Sequence, residues 1–546
     1  MRKRWLATFV FGACALAVAA FAASAGGSSS KDGGTFRIAT SSGIDSLNPY
    51  VAFNQDAYSM FEYIYPFLIQ YDRSNKRFVA DFARSWKPSN GGKTWTFKTV
   101  SNAKWSDGKP LTAADAAWTI NTDIKYQSGG AANAAGLIAH ITRADAPNPT
   151  TLVVHYKAAP GNVLGQFQQF AILPKHVWSA HTGHKGADLK TFPNNPPVVS
   201  GGPFKLVKYT KNEIALFQKN DSFYGPKPKV DGFGLRIFGN DDAMVSALKA
   251  HEIDAIEAVP ATAIKTLKNA GFTITDVPGV DQTDFIINSN LKKTKNRELL
   301  NLKVKEAFAH AVDRAHIIRV VFLGRAKPAD SIVPSSTGAW HNPKLKPEKF
   351  DIAQANQILD TLGYKRGPGG IRVANGHKMA YDVIAPTDVQ SVPRTFQILQ
   401  ADFRKIGVQL RQKALDSTAA FDLMTSPNNK YLNFDLALWD WVSLIDPDFM
   451  LSVVTCAQYG GWSDSGYCNK QYDSMYSKQQ LTPDQGKRRS IVWKMQQYLY
   501  GQRPYIWLAL QDSVHALSSK WTGLVPSPQG PFNSLSKLSL TSVHQK

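Results

Sequence analysis

The chain has 546 residues, of which 43% are apolar and 19% charged, and its formal net charge is +21. This length is ample for a large core and more than one domain, and the composition excludes a disordered or collagen-like chain. Such a charge would suit nucleic acid, an anionic membrane surface or an anionic ligand. The basic residues are spread along the chain without an arginine-rich helix or basic-aromatic motif, so we interpret them as a solvated surface.

The amino terminus predicts a secretory signal peptide over residues 1–25. Residues 2–4 are basic, residues 5–23 are uncharged and rich in alanine, and residues 23–25 (ASA) offer a cleavage site. An uncleaved anchor and a lipid anchor at Cys14 are the alternatives. Residues 26–32 follow as a glycine- and serine-rich flexible linker. We therefore expect an exported protein, periplasmic or on the cell surface, with membrane association left open.

The first predicted elements alternate between strands and helices. Residues 34–39 read as a strand. Residues 94–97 (TWTF) alternate like a strand. The loop 105–110 (WSDGKP) then leads to residues 112–115 (TAAD), whose spacing fits a helix-capping box.

These residues resemble the large extracytoplasmic solute-binding proteins of ABC importers, the family that carries peptides, nickel and some oligosaccharides. The resemblance rests first on residues 78–121, with the WTF strand and the sequence WSDGKPLTA-D. It extends from Gly34 to about Leu540. Further matches are LNP at 47–49, LPKHVW at 173–178, GGPFKL at 201–206, NDSFYG at 220–225, EID at 252–254 and the helix at 304–314.

Later elements continue the mixed pattern. Residues 243–250 are apolar at helical spacing, and residues 284–290 (DFIINSN) read as an apolar strand that ends in asparagines. Gly363 stands where it can cap the end of a helix. The irregular alternation predicts an α/β protein with mixed sheets.

The resemblance implies a two-lobed periplasmic-binding-protein fold with a hinge, of the large type with three subdomains. We expect the first lobe to combine a subdomain from residues 33–65, 198–283 and 519–546 with a second subdomain from residues 66–197. Residues 284–518 would form the other lobe. Composition alone does not reveal such discontinuous boundaries.

Few residues point to catalysis or metal binding. The chain has no phosphate-binding loop, no H-E-x-x-H and no G-x-S-x-G motif. His176, His181 and His184 are closely spaced, but His176 belongs to the LPKHVW match and the others lie in a glycine-rich loop, so we expect no metal site. Cys456 and Cys468 remain after leader cleavage and predict one disulfide. We expect no catalytic residue and no cofactor.

The segment 434–452 carries the main ligand-binding candidates, Trp439, Asp440 and Trp441, which follow a buried strand. In peptide-binding members of the family, a W--D--DP loop supplies an aspartate that pairs with the ligand's α-ammonium. Here Ser443 or Leu444 stands at that position. Either Asp440 has taken over the pairing, or the ligand has no free amine. The tryptophans would also suit a sugar; the alternative is a core tryptophan beside a strand-end cap.

Placement by the resemblance adds five candidates. Phe53 and Asn54 follow the LNP turn, and Asn288 lies near the end of the strand that enters the second lobe. Tyr459 and Trp462 lie in the loop between the two cysteines. Simple packing is the alternative for each residue.

We therefore predict the substrate-binding component of an ABC importer, a monomer without a nucleic-acid partner. It would capture an oligopeptide or peptide-like solute by hinge closure and deliver it to a membrane permease with its ATPase. An oligosaccharide or glycoside is the first alternative ligand, and nickel or a metal chelate is the next. A secreted hydrolase and a sensor for a membrane receptor are the rival classes.

Overall fold

The computed structural model of the chain describes residues 33–72, 77–131, 134–525, 527, 532 and 538–546. The expected signal peptide and linker, residues 1–32, lie outside the described residues. Among the described residues, no helix combines the length and the apolar character needed to cross a membrane.

The strands include two that are much longer than the others, β12 and β19. In chain order the strands are β1 (Thr35–Thr40), β2 (Ile69–Asp72), β3 (Arg77–Ala80), β4 (Ala83–Ser89), β5 (Thr94–Thr99), β6 (Ile141–Asn148), β7 (Thr151–Tyr156), β8 (Phe204–Thr210), β9 (Ile214–Lys219), β10 (Gly232–Ile237), β11 (Ala255–Ile256), β12 (Thr273–Ile287), β13 (Ala326–Pro328), β14 (Val373–Ala374), β15 (His377–Lys378), β16 (Ala380–Pro386), β17 (Gln409–Leu415), β18 (Leu436–Val442), β19 (Tyr505–Leu517), β20 (Trp521–Thr522) and β21 (His544–Gln545).

The α-helices are distributed along the whole described chain. They are Gln55–Ile64, Ala113–Tyr126, Val163–Phe167, Lys175–Trp178, Asp188–Thr191, Asp241–Lys249, Ile264–Asn269, Leu302–His310, Arg314–Val320, Ile352–Thr361, Val392–Lys405, Ser417–Thr425, Asp448–Val453, Lys470–Gln480, Gln485–Gln502 and Leu538–Thr541. Short 3-10 turns lie at Asn90–Gly92, Ser179–His181, His184–Gly186, Arg297–Leu300, Ser335–Trp340, Pro368–Gly370 and Cys456–Gln458.

One large mixed sheet runs through most of the molecule, in the order β17-β16-β18-β12-β19-β11-β1-β10-β9-β8, with β13 paired to β19. Strand β1 is parallel to β10 and β11, and β16 is parallel to β17 and β18, whereas β12, β18 and β19 pair antiparallel. This mixture of directions confirms the predicted α/β class with mixed sheets.

A separate four-stranded antiparallel sheet, with the order β4-β5-β7-β6, forms a smaller unit with helix Ala113–Tyr126. Its strand β5 is the predicted TWTF strand, and Phe97 on it is fully buried. Trp105 of the WSDGKP loop is also fully buried, and the Gly108 amide closes that loop by donating to the Trp105 carbonyl at 2.9 Å. Thr112 and Asp115 form the predicted capping box at the helix start.

In the part of the large sheet where β12 pairs with β18, successive side chains point alternately into two cores. Phe285 and Leu438 pack on one face with helix Val392–Lys405, and Ile286 and Ala437 pack on the other with helix Gln485–Gln502. This alternation follows from strand geometry, in which successive side chains point to opposite faces. Full burial of one such large side chain contributes roughly 2 kcal/mol.

The long strands β12 and β19 connect the two halves of the sheet. One half consists of β11, β1, β10, β9 and β8, and the other of β17, β16 and β18. They pair along their length, with a register shift between Pro278 and Gln282. At this shift the backbone of Gly279 approaches the Gln511 carbonyl so closely that a Cβ atom would lie 2.1 Å from its oxygen. The shift therefore requires glycine at this position.

Candidate ligand-binding site

Aromatic rings from the two halves of the molecule contact each other, and we call the place where they meet the cleft. Phe53, just before helix Gln55–Ile64, stacks on Phe421 of helix Ser417–Thr425 with 6.2 Å between ring centroids. Tyr58 of the same first helix lies 5.8 Å from Trp462. Ring contacts between the two halves thus span the cleft.

The second half contributes a cluster of rings to this cleft. The Trp441 ring lies 6.4 Å from that of Trp462 and 6.0 Å from that of Phe449. Phe449 lies 5.5 Å from Trp462, and Trp439 lies 6.3 Å from Phe421. The predicted candidates Phe53 and Trp439 thus both contact Phe421, and Trp441 and Trp462 contact each other. We call these two groups of rings together the aromatic wall, which suits the apolar parts of a ligand.

The Trp439-Asp440-Trp441 trio does not converge on a single point. These residues lie on strand β18, so the two indoles share one face and the Asp440 carboxylate points to the opposite face. A single ligand group would therefore meet either the indoles or the carboxylate, and contact of these residues with ligand stays a prediction.

Trp441 is fixed by a buried carboxylate that sequence reasoning missed. Its indole Nε1 donates to Asp464 Oδ2 at 2.8 Å, and the Tyr505 hydroxyl donates to the other oxygen. Asp464 is fully buried, and burial raises its pKa to about 6. Asp464 thus holds the orientation of a cleft tryptophan.

On the opposite face, Asp440 and Asp281 are diagonal neighbours on paired strands. Asp440 pairs with Thr283 and Asp281 with Val442 in the β12–β18 register. Burial, and next the charge of Asp388, raises the pKa of Asp440 to about 6. Burial and the charge of Asp440 raise the pKa of Asp281 well above its ordinary value. The groups that act on these carboxylates are other carboxylates, so a cation would be favoured beside them.

Several buried polar atoms near the cleft have no hydrogen-bond partner within the described chain. These are Asp281 Oδ1, Gln282 Oε1, Ser443 Oγ and Trp507 Nε1. Buried polar groups are normally satisfied, and each unsatisfied group costs about 1–3 kcal/mol. Ser443, a predicted candidate, keeps its hydroxyl available and holds its position by donating its amide to the Val280 carbonyl at 3.0 Å.

Asn54 and Asn288 have structural roles, and their contact with ligand stays a prediction. Asn54 caps helix Gln55–Ile64, because its side chain accepts from the Ala57 amide at 3.0 Å. Asn288 is fully buried and its amide donates to the carbonyls of Tyr431 and Phe434 at 2.9 and 2.8 Å. Asn288 Oδ1 accepts from the Asn290 amide, so the polar atoms of its side chain are already used.

The loop between the cysteines lies against the cleft. Cys456 and Cys468 form the predicted disulfide. Tyr459 in this loop donates its hydroxyl to the Gly466 carbonyl and packs 4.6 Å from the Tyr431 ring, so its role is to hold the loop. Trp462 extends from the same loop into the aromatic wall.

The three clustered histidines have separate partners. His176 contacts Asp107 at 2.8 Å, His184 contacts Asp188 at 2.8 Å, and His181 stacks on Phe192. Within the described part of the chain, no group of three or more His, Cys, Asp or Glu side chains is arranged to hold a metal ion.

The sequence signals for the missed residues were weak. Asp281 and Asp284 lie in strand β12. The signal that the sequence offered for them was a carboxylate within a largely buried strand. Asp284 is buried, and burial and then the charge of Asp464 raise its pKa well above the ordinary value. Tyr58 and Phe421 lie in helices where packing alone explains an aromatic residue.

Comparison with solved structures defines the class of protein. The oligopeptide-binding protein AppA of Bacillus subtilis, in complex with a nonapeptide, has a TM-score of 0.83, 20% identity and coverage of 94% of this chain and 99% of that chain. NikZ of Campylobacter jejuni, in complex with Ni(L-His), has a TM-score of 0.80, 23% identity and the same coverages. The fold is therefore the predicted two-lobed periplasmic-binding-protein fold.

Comparison of sequences identifies the family. The profile described as bacterial extracellular solute-binding proteins, family 5 Middle, matches residues 77–461. A putative ABC transporter peptide-binding protein of Brucella ovis is 26% identical over 357 residues, which are 64% of this chain and 63% of that relative. The chain belongs to family 5 of the bacterial extracellular solute-binding proteins, the substrate-binding components of ABC transporters.

Proposed function

We propose that the protein captures an oligopeptide or peptide-like solute and delivers it to an ABC permease. The observation that carries this proposal is the pair of partly buried carboxylates, Asp281 and Asp440, whose charged neighbours are also acidic. A ligand ammonium placed between them would relieve their mutual repulsion. Asp440 then takes the pairing role that an aspartate near position 443 has in peptide-binding relatives.

The position of this pair supports the proposal. Strands β16 and β18 are parallel and end at Pro386 and Val442, on the side of the cleft. In open α/β sheets, ligands bind outside the carboxyl ends of such strands. The ligand body would lie across these ends against Trp441 and Trp462, with its amine toward Asp440.

The hinge in this proposal is the β12–β19 pair. Its register shift at Gly279 gives a short irregular segment between two well-packed halves. We place the lobes as residues 33–283 with 519–546, including the 66–197 subdomain, and residues 284–518. Ligand contacts to both lobes would favour the closed state in proportion to their differential affinity. We further propose that the protein is exported, that its leader is cleaved and that it is a monomer.

The test is peptide binding by the Asp440→Asn variant. We expect it to bind peptides with a free amino terminus at least about tenfold more weakly than the wild type, because a charge pair in a desolvated site is lost. Binding of N-acetylated peptides should not change between the two proteins. Isothermal titration with both peptide forms measures this difference.

Asn301→Ala is the matched control, since Asn301 caps helix Leu302–His310 by accepting from the Lys303 amide at 2.8 Å and is not a ligand-binding candidate. It should lower thermal stability by about 1 kcal/mol and leave peptide affinity unchanged. Equal affinity of wild type and Asp440→Asn for free-amine peptides would refute the pairing role.

An oligosaccharide is the second candidate, and the aromatic wall favours it. Indole rings such as those of Trp441 and Trp462 cover the apolar faces of sugar rings. In that case Trp462→Ala would abolish binding of an oligosaccharide, while Asp440→Asn would have little effect on it.

A further inference from the structure

A second contact joins the two halves of the molecule away from the aromatic wall. The loop after β7 lies against the turn between helices Lys470–Gln480 and Gln485–Gln502. The Gly161 amide donates to the Gln480 carbonyl at 2.6 Å, and Gln485 Nε2 donates to the Gly161 carbonyl at 3.0 Å. His140 Nε2 lies 3.1 Å from Gln480 Oε1. We call these residues the latch.

Glycine is required at the centre of the latch. Gly161 is buried, and a Cβ atom there would lie 2.5 Å from the Thr482 carbonyl oxygen and 3.0 Å from that of Gln479. Both oxygens belong to the backbone, which does not yield as a flexible side chain would. The smallest side chain at this position would therefore separate the two surfaces.

Buried polar contacts connect the latch to the cleft. Gln479 Oε1 accepts from Arg488 Nε at 2.9 Å, and Arg488 binds both oxygens of Asp446 at 2.6 Å. The side chains of Gln479 and Gln480 also donate to Asp448. Asp448 begins the helix that carries Phe449 of the aromatic wall.

The two carboxylates of the Asp446-Pro447-Asp448 loop have partners within the protein. Asp446 pairs with Arg488, and Asp448 accepts from the glutamines. The loop thus supports the cleft wall on one side and the latch on the other.

We infer that the latch sets the fraction of molecules that are closed, without contacting the ligand. This inference rests on the proposed hinge closure. The latch residues 161 and 480–485 lie on opposite sides of the proposed hinge, so their hydrogen bonds form only when the lobes are closed. The apparent ligand affinity scales with the fraction of binding-competent molecules, so the latch adjusts affinity for every ligand of the cleft equally.

The test is small-angle X-ray scattering of ligand-free protein, with the closed fraction obtained from the scattering curve. Gly161→Ala should lower the ratio of closed to open molecules by about fivefold or more, because a clash replaces two hydrogen bonds. Gly129→Ala is the matched control: Gly129 is exposed in the same unit, and the nearest atom to an added Cβ would be 3.9 Å away. It should behave as the wild type.

Gln485→Ala keeps the inference testable if Gly161→Ala does not fold. It removes one latch hydrogen bond from an exposed residue and should shift the closed fraction in the same direction by a smaller factor. If both variants scatter as the wild type does, the latch has no such role.

Failure of the latch and failure of the proposed function are distinguishable, because this scattering test uses no ligand. A shift in the closed fraction of a protein that binds no peptide would support the latch and refute peptide capture. Unchanged scattering with normal peptide binding would refute the latch alone.

Discussion

In the proposed function, the carboxylates Asp281 and Asp440 are the residues on which ligand identity depends most. Their strand register places them as diagonal neighbours on one face, and burial makes each harder to ionise. The proposed function thus gives acidic ligand-binding side chains to a protein with a formal net charge of +21. This local reversal of charge would attract the positive end of a ligand.

The raised pKa of Asp440 predicts opposite pH dependences for stability and for ligand binding. Its folded pKa of about 6 exceeds the ordinary aspartate value of 3.8, so the folded state binds the proton more tightly than the unfolded state. This contribution to stability is fully present below about pH 4 and is lost as pH rises through about 6. Affinity for a cationic ligand falls on acidification, because the carboxylate becomes neutral.

Thermal unfolding of ligand-free wild type and Asp440→Asn measures the first effect. The melting temperature of the wild type relative to the variant should be higher at about pH 5 than at about pH 7.5. Asp422→Asn, at an exposed position on helix Ser417–Thr425, is the control. A difference between wild type and Asp440→Asn that does not vary with pH would contradict the assignment.

Single residues were the hardest features to predict from the sequence. Placement by resemblance located Phe53, Trp441 and Trp462 in the region of the cleft. It could not show that Asn288 is fully hydrogen-bonded, because the carbonyls that accept from its amide nitrogen lie more than a hundred residues away. The meeting of Asp281 with Asp440 likewise depends on the β12–β18 register, for which the sequence carries no local signal.

At the scale of elements, the disulfide-closed loop connects stability to recognition. It carries Trp462 of the aromatic wall and Asp464, the partner of Trp441. Its ends are Cys456 and Cys468, which are 12 residues apart. One covalent bond therefore limits the motion of both groups.

The double variant Cys456→Ser/Cys468→Ser should lose both properties. We expect a loss of about 3 kcal/mol in unfolding free energy, from the greater freedom of the unfolded chain. We also expect weaker ligand binding, because Trp462 becomes mobile. Denaturant titration and calorimetric binding measure the two effects. Wild-type affinity in the double variant would show that the loop is held without the disulfide.

Local patterns predicted the elements well. The capping box at Thr112 and Asp115, the strand at residues 94–97 and the strand after Asp435 are all present. Gly363 follows helix Ile352–Thr361 with a φ of 77°, as a glycine after a helix end often does. These features depend on neighbours within a few residues, which a sequence displays directly.

At the scale of the whole molecule, one sheet passes through both halves of the described chain. In its order, β12 and β19 lie between β17, β16 and β18 on one side and β11, β1, β10, β9 and β8 on the other. Motion between the halves would therefore be concentrated in the β12–β19 pair, at its register shift near Gly279. Local patterns cannot predict this arrangement, since β1, β12 and β19 come from distant parts of the chain. The two-lobed fold was predicted from the family resemblance.

The most direct test of peptide capture is native mass spectrometry of the purified protein with a peptide mixture. The mixture holds each peptide in two isotopically distinguished forms, one with free amines and one fully acetylated. We predict that the retained peptides are enriched in the free-amine form by about tenfold or more. Equal retention of both forms, or retention of neither, would contradict the proposal that a cationic peptide group pairs with Asp440.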